Sequence, residues 1–153
     1  MNDYKFKNKL WALIPCFVLL IWFTFDMTGL YINDKPLVEQ AFSDDWMFFF
    51  AYLAAILLFI FIDKIGKYIL DIWLLMWFIT QFFSHWFFTI TGEGLKKNEY
   101  FKDTVKLISS ETRYIPDLYH IILHILILIA FTFLTIFIAK GFKKKKNKEI
   151  KNA

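Results

Sequence analysis

Cysteine is nearly absent. Cys16 is the only one in 153 residues, so an intramolecular disulfide framework is excluded. Arginine is equally scarce, with Arg113 standing alone against 17 lysines. Together with heavy use of Ile, Phe and Asn, that bias points by composition to an AT-rich bacterial genome. Helix breakers are few (3 Pro, 5 Gly), there is no internal repeat, and no motif names a reaction. Low complexity is confined to a basic tail.

Apolar residues are abundant. They make up 58% of the chain, and 20 of them are Phe, where a soluble domain is about 45–50% apolar. The excess falls into four blocks, each long enough to cross a bilayer core of about 30 Å as a helix of roughly 20 residues. The chain therefore reads as one all-α membrane domain over residues 1–153. The four helices are expected at about 10–32, 45–62, 68–91 and 117–139, packed as an antiparallel bundle.

The net charge of +4 is uneven, with seven of the 18 cationic residues at or after Lys140. Such a run beside an apolar helix is a topogenic signal that also touches anionic lipid headgroups. Nucleic-acid binding is excluded on that placement. Lys5, Lys7 and Lys9 before the first apolar run resemble a signal peptide. The run is too long, however, and no small-residue cleavage site follows, so it reads as a retained anchor. Leu13-Ile14-Pro15-Cys16 superficially suggests a lipoprotein site, but most of the apolar run follows Cys16, which reads as a small buried hydrophobe. Pro15 near the start of the first helix is expected to kink it.

Cationic residues near the helix ends set orientation. The N-terminus, the 63–67 turn and the tail hold twelve, against six in the 33–44 and 92–115 segments. Both ends are expected in the cytoplasm and the 33–44 and 92–116 loops outside, in a multi-pass plasma-membrane protein. Ser43 is the expected N-cap of the second helix, with Asp44 and Asp45 in its first turn. Residues 63–67 form a tight turn that makes helices two and three a hairpin. Gly92 and Gly94 end the third helix. Phe101, Val105 and Ile108 recur at helical spacing, which predicts a short amphipathic helix on the membrane surface.

Ionisable groups inside a spanning helix are costly and mark candidate sites. Five remain once the cytoplasmic interface is set aside: Asp26, His85, Asp117, His120 and His124. From helix midpoints near residues 21, 79 and 128, a rise of about 1.5 Å per residue puts Asp26, His85 and His124 about 6–9 Å outward of the midplane, and His120 about 12 Å. Three helices thus bring polar groups to one level. Asp117, His120 and His124 share a stripe at i, i+3, i+7, Gln81 lies one turn below His85 with Ser84 adjacent, and Trp22 shares a face with Asp26.

Histidines at i and i+4 can present two imidazoles to one ion, and a third His with an Asp completes a first-row metal site. His85, His120 and His124 are the candidate Zn²⁺ ligands, with Asp26 as ligand or catalytic base. Asp117, Gln81, Ser84 and Arg113 are candidate supporting or substrate-binding residues. The bland readings stand beside this one. A histidine in an apolar helix is commonly a hydrogen-bonded packing residue. Asp117 behind Pro116 is a first-turn carboxylate, Arg113 is a loop residue paired with Asp117 or Glu111, and Asp26 pairs with a histidine. Asp71 with Lys67 reads as an interfacial ion pair, and Trp73 with Trp77 as packing.

The set of His85, His120, His124, Asp26 and Ser84 is similar in kind to the zinc site of the seven-helix alkaline ceramidases and adiponectin-type receptors. That superfamily carries one histidine on one helix, an HxxxH pair on another, and a nearby Asp and Ser. The likeness is one of chemistry and not of fold: this chain is too short for seven helices, and Ser84 is adjacent to the histidine. The four-helix sterol-isomerase type of fold is similar in length and topology, but its acidic motifs have no counterpart here.

Three functions follow as expectations. One is a zinc hydrolase acting on a lipid or amphiphile in the outer leaflet, with the 92–115 segment as a lid. Another is a haem b protein with His85 and His124 or His120 as axial ligands. The last is a non-catalytic binding or accessory protein with a protein partner or a second copy of itself, its His/Asp set forming a structural or proton-linked network.

Overall fold

The structure, a computed structural model, describes residues 3–152. It is mostly helical, and four helical stretches are long and apolar enough to cross a membrane: Asn8–Thr28, Phe42–Phe61, Asp63–Thr91 and Leu118–Lys143. The side chains of Lys5, Lys7, Lys144, Lys145, Lys146, Lys148 and Lys151, which carry much of the expected lipid contact, lie outside the described residues.

Helix α1 spans Asp3–Thr28 and continues through Pro15. It stops short of the expected Ile32. Gly29 takes φ +75°, and its N–H bonds to the Phe25 carbonyl at 2.8 Å, an ending that a left-handed glycine favours. The expected loop is instead an antiparallel hairpin of β1 (Leu30–Ile32) and β2 (Lys35–Val38). Its two-residue turn places Asn33 and Asp34 at φ 49° and 64°. Asn and Asp tolerate such angles, and two of them in succession fit the twist of a tight hairpin.

Helix α2 covers Phe42–Phe61. Ser43 is not its cap: Ala41 precedes it, and the cap has no side-chain bond. The Ala41 N–H instead bonds to the Asp26 carbonyl at 2.8 Å, fastening the hairpin to the end of α1. One residue, Ile62, separates α2 from α3 (Asp63–Gln81), so the third helix begins five residues before the expected Tyr68. Close approach here requires glycine. A Cβ on Gly66 would lie 2.3 Å from the Leu58 backbone.

The third span then passes through a π-helical turn, Phe82–Trp86, into α4 (Phe87–Thr91). Gly92, with φ +78°, ends it. The expected amphipathic helix is shorter and displaced. Helix α5 is Leu95–Tyr100, and Phe101, Val105 and Ile108 lie beyond it. The backbone there is committed elsewhere: the Val105 N–H bonds to the Pro36 carbonyl (3.0 Å), and the Val105 carbonyl accepts from Leu118 (2.9 Å). Helix α6 runs Leu118–Asn152, past the expected end at Ala139 and through Gly141.

Helix α1 packs on α2 and α6, and α3 packs on the same two. The core between them is apolar, built from Leu19, Tyr52, Phe59, Leu74, Ile127 and Leu134 among others. Large apolar side chains also face outward, including Ile21 at 62% exposure and Ile72 at 59%. Outward apolar surface on this scale suits contact with lipid.

Candidate functional site

Polar side chains gather at the end of the helices that carries the hairpin. A cavity of about 280 Å³ lies there, and its polar lining includes Asp26, Asp45, Gln81, Ser84, His85 and His120. Phe23, Phe48, Trp77 and Tyr119 complete much of the wall. A second cavity of about 170 Å³ shares Asp26, Asp45 and His120, and extends to Glu39, Gln40 and Asp44 in the loop before α2 and its first turn. Among the described residues, no lysine or arginine lines either one.

Two hydrogen bonds, one buried and one part-buried, fix the imidazoles. His85, on the π-helical turn, lies with Nδ1 2.5 Å from the Tyr114 hydroxyl. Asp117 precedes α6, and its Oδ1 accepts from the His120 backbone N–H at 2.9 Å, the capping bond. The same oxygen takes the His120 Nδ1 hydrogen at 2.8 Å. The two rings stack with centroids 4.1 Å apart and planes at 30°. One nitrogen of each ring is thus held by a neighbour, which leaves both Nε2 atoms for other contacts.

The inward stripe of α6 is rotated by one residue from the expected one. Tyr119, Leu123, Ile127 and Ala130 are its buried positions, while His120 and His124 are half-buried. Tyr119 stacks on Trp22 at 5.5 Å, and the Trp22 indole N–H donates to the Tyr119 carbonyl at 3.4 Å. His124 does not join His85 and His120 at the cavity. Its ring packs on Phe78 at 4.4 Å and edge-on to Trp86 at 6.1 Å. Among the described residues, no group of three or more His, Cys, Asp or Glu side chains is placed to hold a metal ion.

The remaining expected residues divide. Asp26 is buried, pairs with no histidine among the described residues, and shares the cavity wall with Asp45. Gln81 and Ser84 line the cavity. Arg113 does not reach it and forms no ion pair with Asp117 or Glu111 among the described residues. Its guanidinium lies beside Gly92. Asp71 accepts from the Thr135 hydroxyl at 2.9 Å instead of pairing with Lys67, whose ammonium lies over the Tyr68 ring. Trp77 is core, and the half-buried Trp73 packs on Phe48.

Sequence reasoning missed Asp45, Tyr114 and Tyr119. Asp45 carried a signal, a carboxylate at the same membrane level as Asp26, but its place in a first helical turn explained it away. Tyr114 stands in irregular chain two residues before Pro116, where no periodicity marks it.

The 92–116 segment covers this end. The Lys97 ammonium donates to the Ser84 carbonyl and lies 4.4 Å from the Phe88 ring centre. Asn98 Nδ2 donates to the carbonyls of Ser110 and Arg113 at 3.3 Å each. Phe101 packs edge-on to His120 at 5.3 Å. Burial holds Lys97 below the usual lysine range. Burial, and then the Asp117 carboxylate, push the Tyr114 phenol upward.

Comparison with family models, with curated proteins and with solved structures found no match to this chain.

Proposed function

We propose that this is a multi-pass protein of the bacterial plasma membrane, an antiparallel four-helix bundle with both ends in the cytoplasm. Its outer-half cavity is a ligand-binding chamber, entered through the second, acidic cavity, and the protein acts as a small binding or transport subunit in the bilayer. One observation carries this reading. The Tyr119 hydroxyl and Gln81 Oε1 are buried without a hydrogen-bond partner, and both residues line the cavity. A network kept only for stability satisfies its members, because an orphaned buried group costs about 1–3 kcal/mol. Groups left unpaired around a void fit an absent ligand.

The test is thiol accessibility. Cys16 is fully buried, so wild-type protein in cells should resist a membrane-impermeant maleimide. Ser84→Cys should be labelled from the outer side. Labelling only after the cytoplasmic side is exposed would reverse the orientation, and no labelling from either side would rule out an open chamber.

A second reading is the zinc hydrolase on a lipid or amphiphile, with Asp26 as base. His85 and His120 each have Nδ1 engaged by an oxygen (Tyr114, Asp117), the arrangement in which metal-bound histidines are commonly oriented. His124 takes no part in it. Metal analysis and an absorption spectrum of wild-type and His85→Ala/His120→Ala protein decide this. Stoichiometric metal lost in the variant supports it, and a haem band would point to haem b instead.

A further inference from the structure

The chamber's chemistry is lopsided, and that identifies what it takes. Asp26 from α1 and Asp45 from α2 place two carboxyl groups on its wall. Gln81 adds an unpartnered acceptor oxygen from α3. The Tyr119 hydroxyl, unpartnered in a residue only 1% exposed, lies within electrostatic range of both carboxyls. Opposing these acceptors there is, among the described residues, no lysine or arginine in either cavity. Lys97, half-buried in the covering segment, is turned to the Ser84 carbonyl and the Phe88 ring. Asp26 is buried and Asp45 half-buried, and a carboxyl pair so placed is costly to keep charged without a cationic partner.

Aromatic rings form the rest of the wall. Phe23, Phe48 and Trp77 cluster with ring centres 4.8–6.2 Å apart. Carboxylates paired with aromatic faces suit a cation that carries hydrocarbon, since the faces attract the charge and shed water from the carbon. A bare inorganic cation would use only the oxygens. The volume of about 280 Å³ sits at the small end of ligand pockets, which run roughly 300–1,000 Å³.

We infer that the chamber binds a small organic ammonium ion, its charged head between Asp26 and Asp45 and its hydrocarbon against Phe23, Phe48 and Trp77. The inference rests on the binding-chamber reading above. The acidic loop residues Glu39 and Asp44 draw the cation in, and the Tyr119 hydroxyl and Gln81 Oε1 accept from its N–H groups.

The experiment uses the full chain in lipid nanodiscs with 2-phenylethylammonium as the probe and 2-phenylethanol as its neutral counterpart. The amine should raise the unfolding temperature saturably and slow maleimide labelling of Ser84→Cys. The alcohol at equal concentration should do neither. Asp45→Asn should weaken amine binding by about tenfold or more, the usual loss for a charge-assisted hydrogen bond. Tyr119→Phe should weaken it less, and supplies the comparison if Asp45→Asn does not fold. Equal protection by the alcohol, or unchanged affinity in both variants, overturns the ammonium assignment. Labelling of Ser84→Cys without protection by the amine also overturns it but leaves the open chamber standing. Absence of labelling from either side removes both.

Discussion

The two ends of the membrane-spanning region are built on opposite rules. Toward the termini, the buried polar groups of Tyr52 and Cys16 are satisfied. The Tyr52 hydroxyl donates to the Cys16 carbonyl at 3.0 Å, and Cys16 Sγ to the Ala12 carbonyl at 3.3 Å. Leu70, Leu74, Ala130 and Leu134 fill the space between them. Toward the hairpin, two carboxyls share one cavity wall, imidazoles stack, and two polar groups have no partner. One end is filled for stability, while the other keeps a void whose wall includes two polar groups without a partner. In lipid, where helices gain little from burying apolar surface, close packing is what holds them together. The hairpin end has given part of that up.

The contrast can be broken most forcefully at Gly66. Gly66→Leu puts side-chain atoms where the Leu58 backbone stands, at 2.3 Å from the would-be Cβ. The hairpin of α2 and α3 must splay, at a cost of about 3 kcal/mol or more, readable as lost resistance to unfolding in mixed micelles. Next is Asp117→Ala, which removes both the α6 cap and the His120 partner. A loss of about 2 kcal/mol is expected. Asp117→Asn keeps a capping oxygen and should cost less than half as much.

The histidines sharpen the comparison. His120→Leu leaves the buried Asp117 carboxylate without its side-chain partner and should destabilise by roughly 1–2 kcal/mol. His124→Leu exchanges a ring packed on Phe78 and Trp86 for another apolar group, and should cost under about 1 kcal/mol. Equal losses at the two positions would mean that His124 belongs to the polar site after all.

The smallest effect concerns the covering segment and pH. Lys97 has its folded value depressed by burial. Between that value and the ordinary lysine value of about 10.4 the unfolded chain binds more protons, so stability rises with pH across this window. Hydrogen exchange of residues 95–100, corrected for intrinsic rates, should slow slightly from neutral pH toward pH ~10, and Lys97→Met should remove the slope. Tyr114, raised in the fold, acts oppositely once pH exceeds the ordinary tyrosine range, where the unfolded phenol ionises first.

Much of the architecture was legible because lipid demands long apolar runs, and the four runs mark four spans. Ends were less legible. Gly29, Asn33 and Asp34 carry the backbone signals for a helix stop and a tight turn, but the apolar Leu30-Tyr31-Ile32 around them read as more helix. The site was half legible. Depth along a helix follows from counting, so Asp26, His85 and His120 were placed at one level and do line one cavity. Rotation about the helix axis was less secure. On α6 the buried stripe is Tyr119–Leu123–Ile127, one position from the stripe that the histidines suggested, and this is what turns His124 away. Contacts from irregular chain, such as Tyr114 on His85, have no period to betray them.

The π-helical turn at Phe82–Trp86 carries a consequence for how this chain tolerates insertion and deletion. Such a turn is an α-helix with one residue too many, and each residue turns a helix by about 100°. The wider turn absorbs the extra residue, so Phe87–Thr91 continue in phase, while His85 inside the turn is displaced from a regular helical position. Deleting the outward-facing Phe83, which is 56% exposed, would subtract little from the core and could restore a regular helix of nearly the same length. It would also swing His85 off Tyr114. One dispensable-looking exposed residue thus helps set where His85 points. At this position loss of a residue should be worse tolerated than almost any replacement of it.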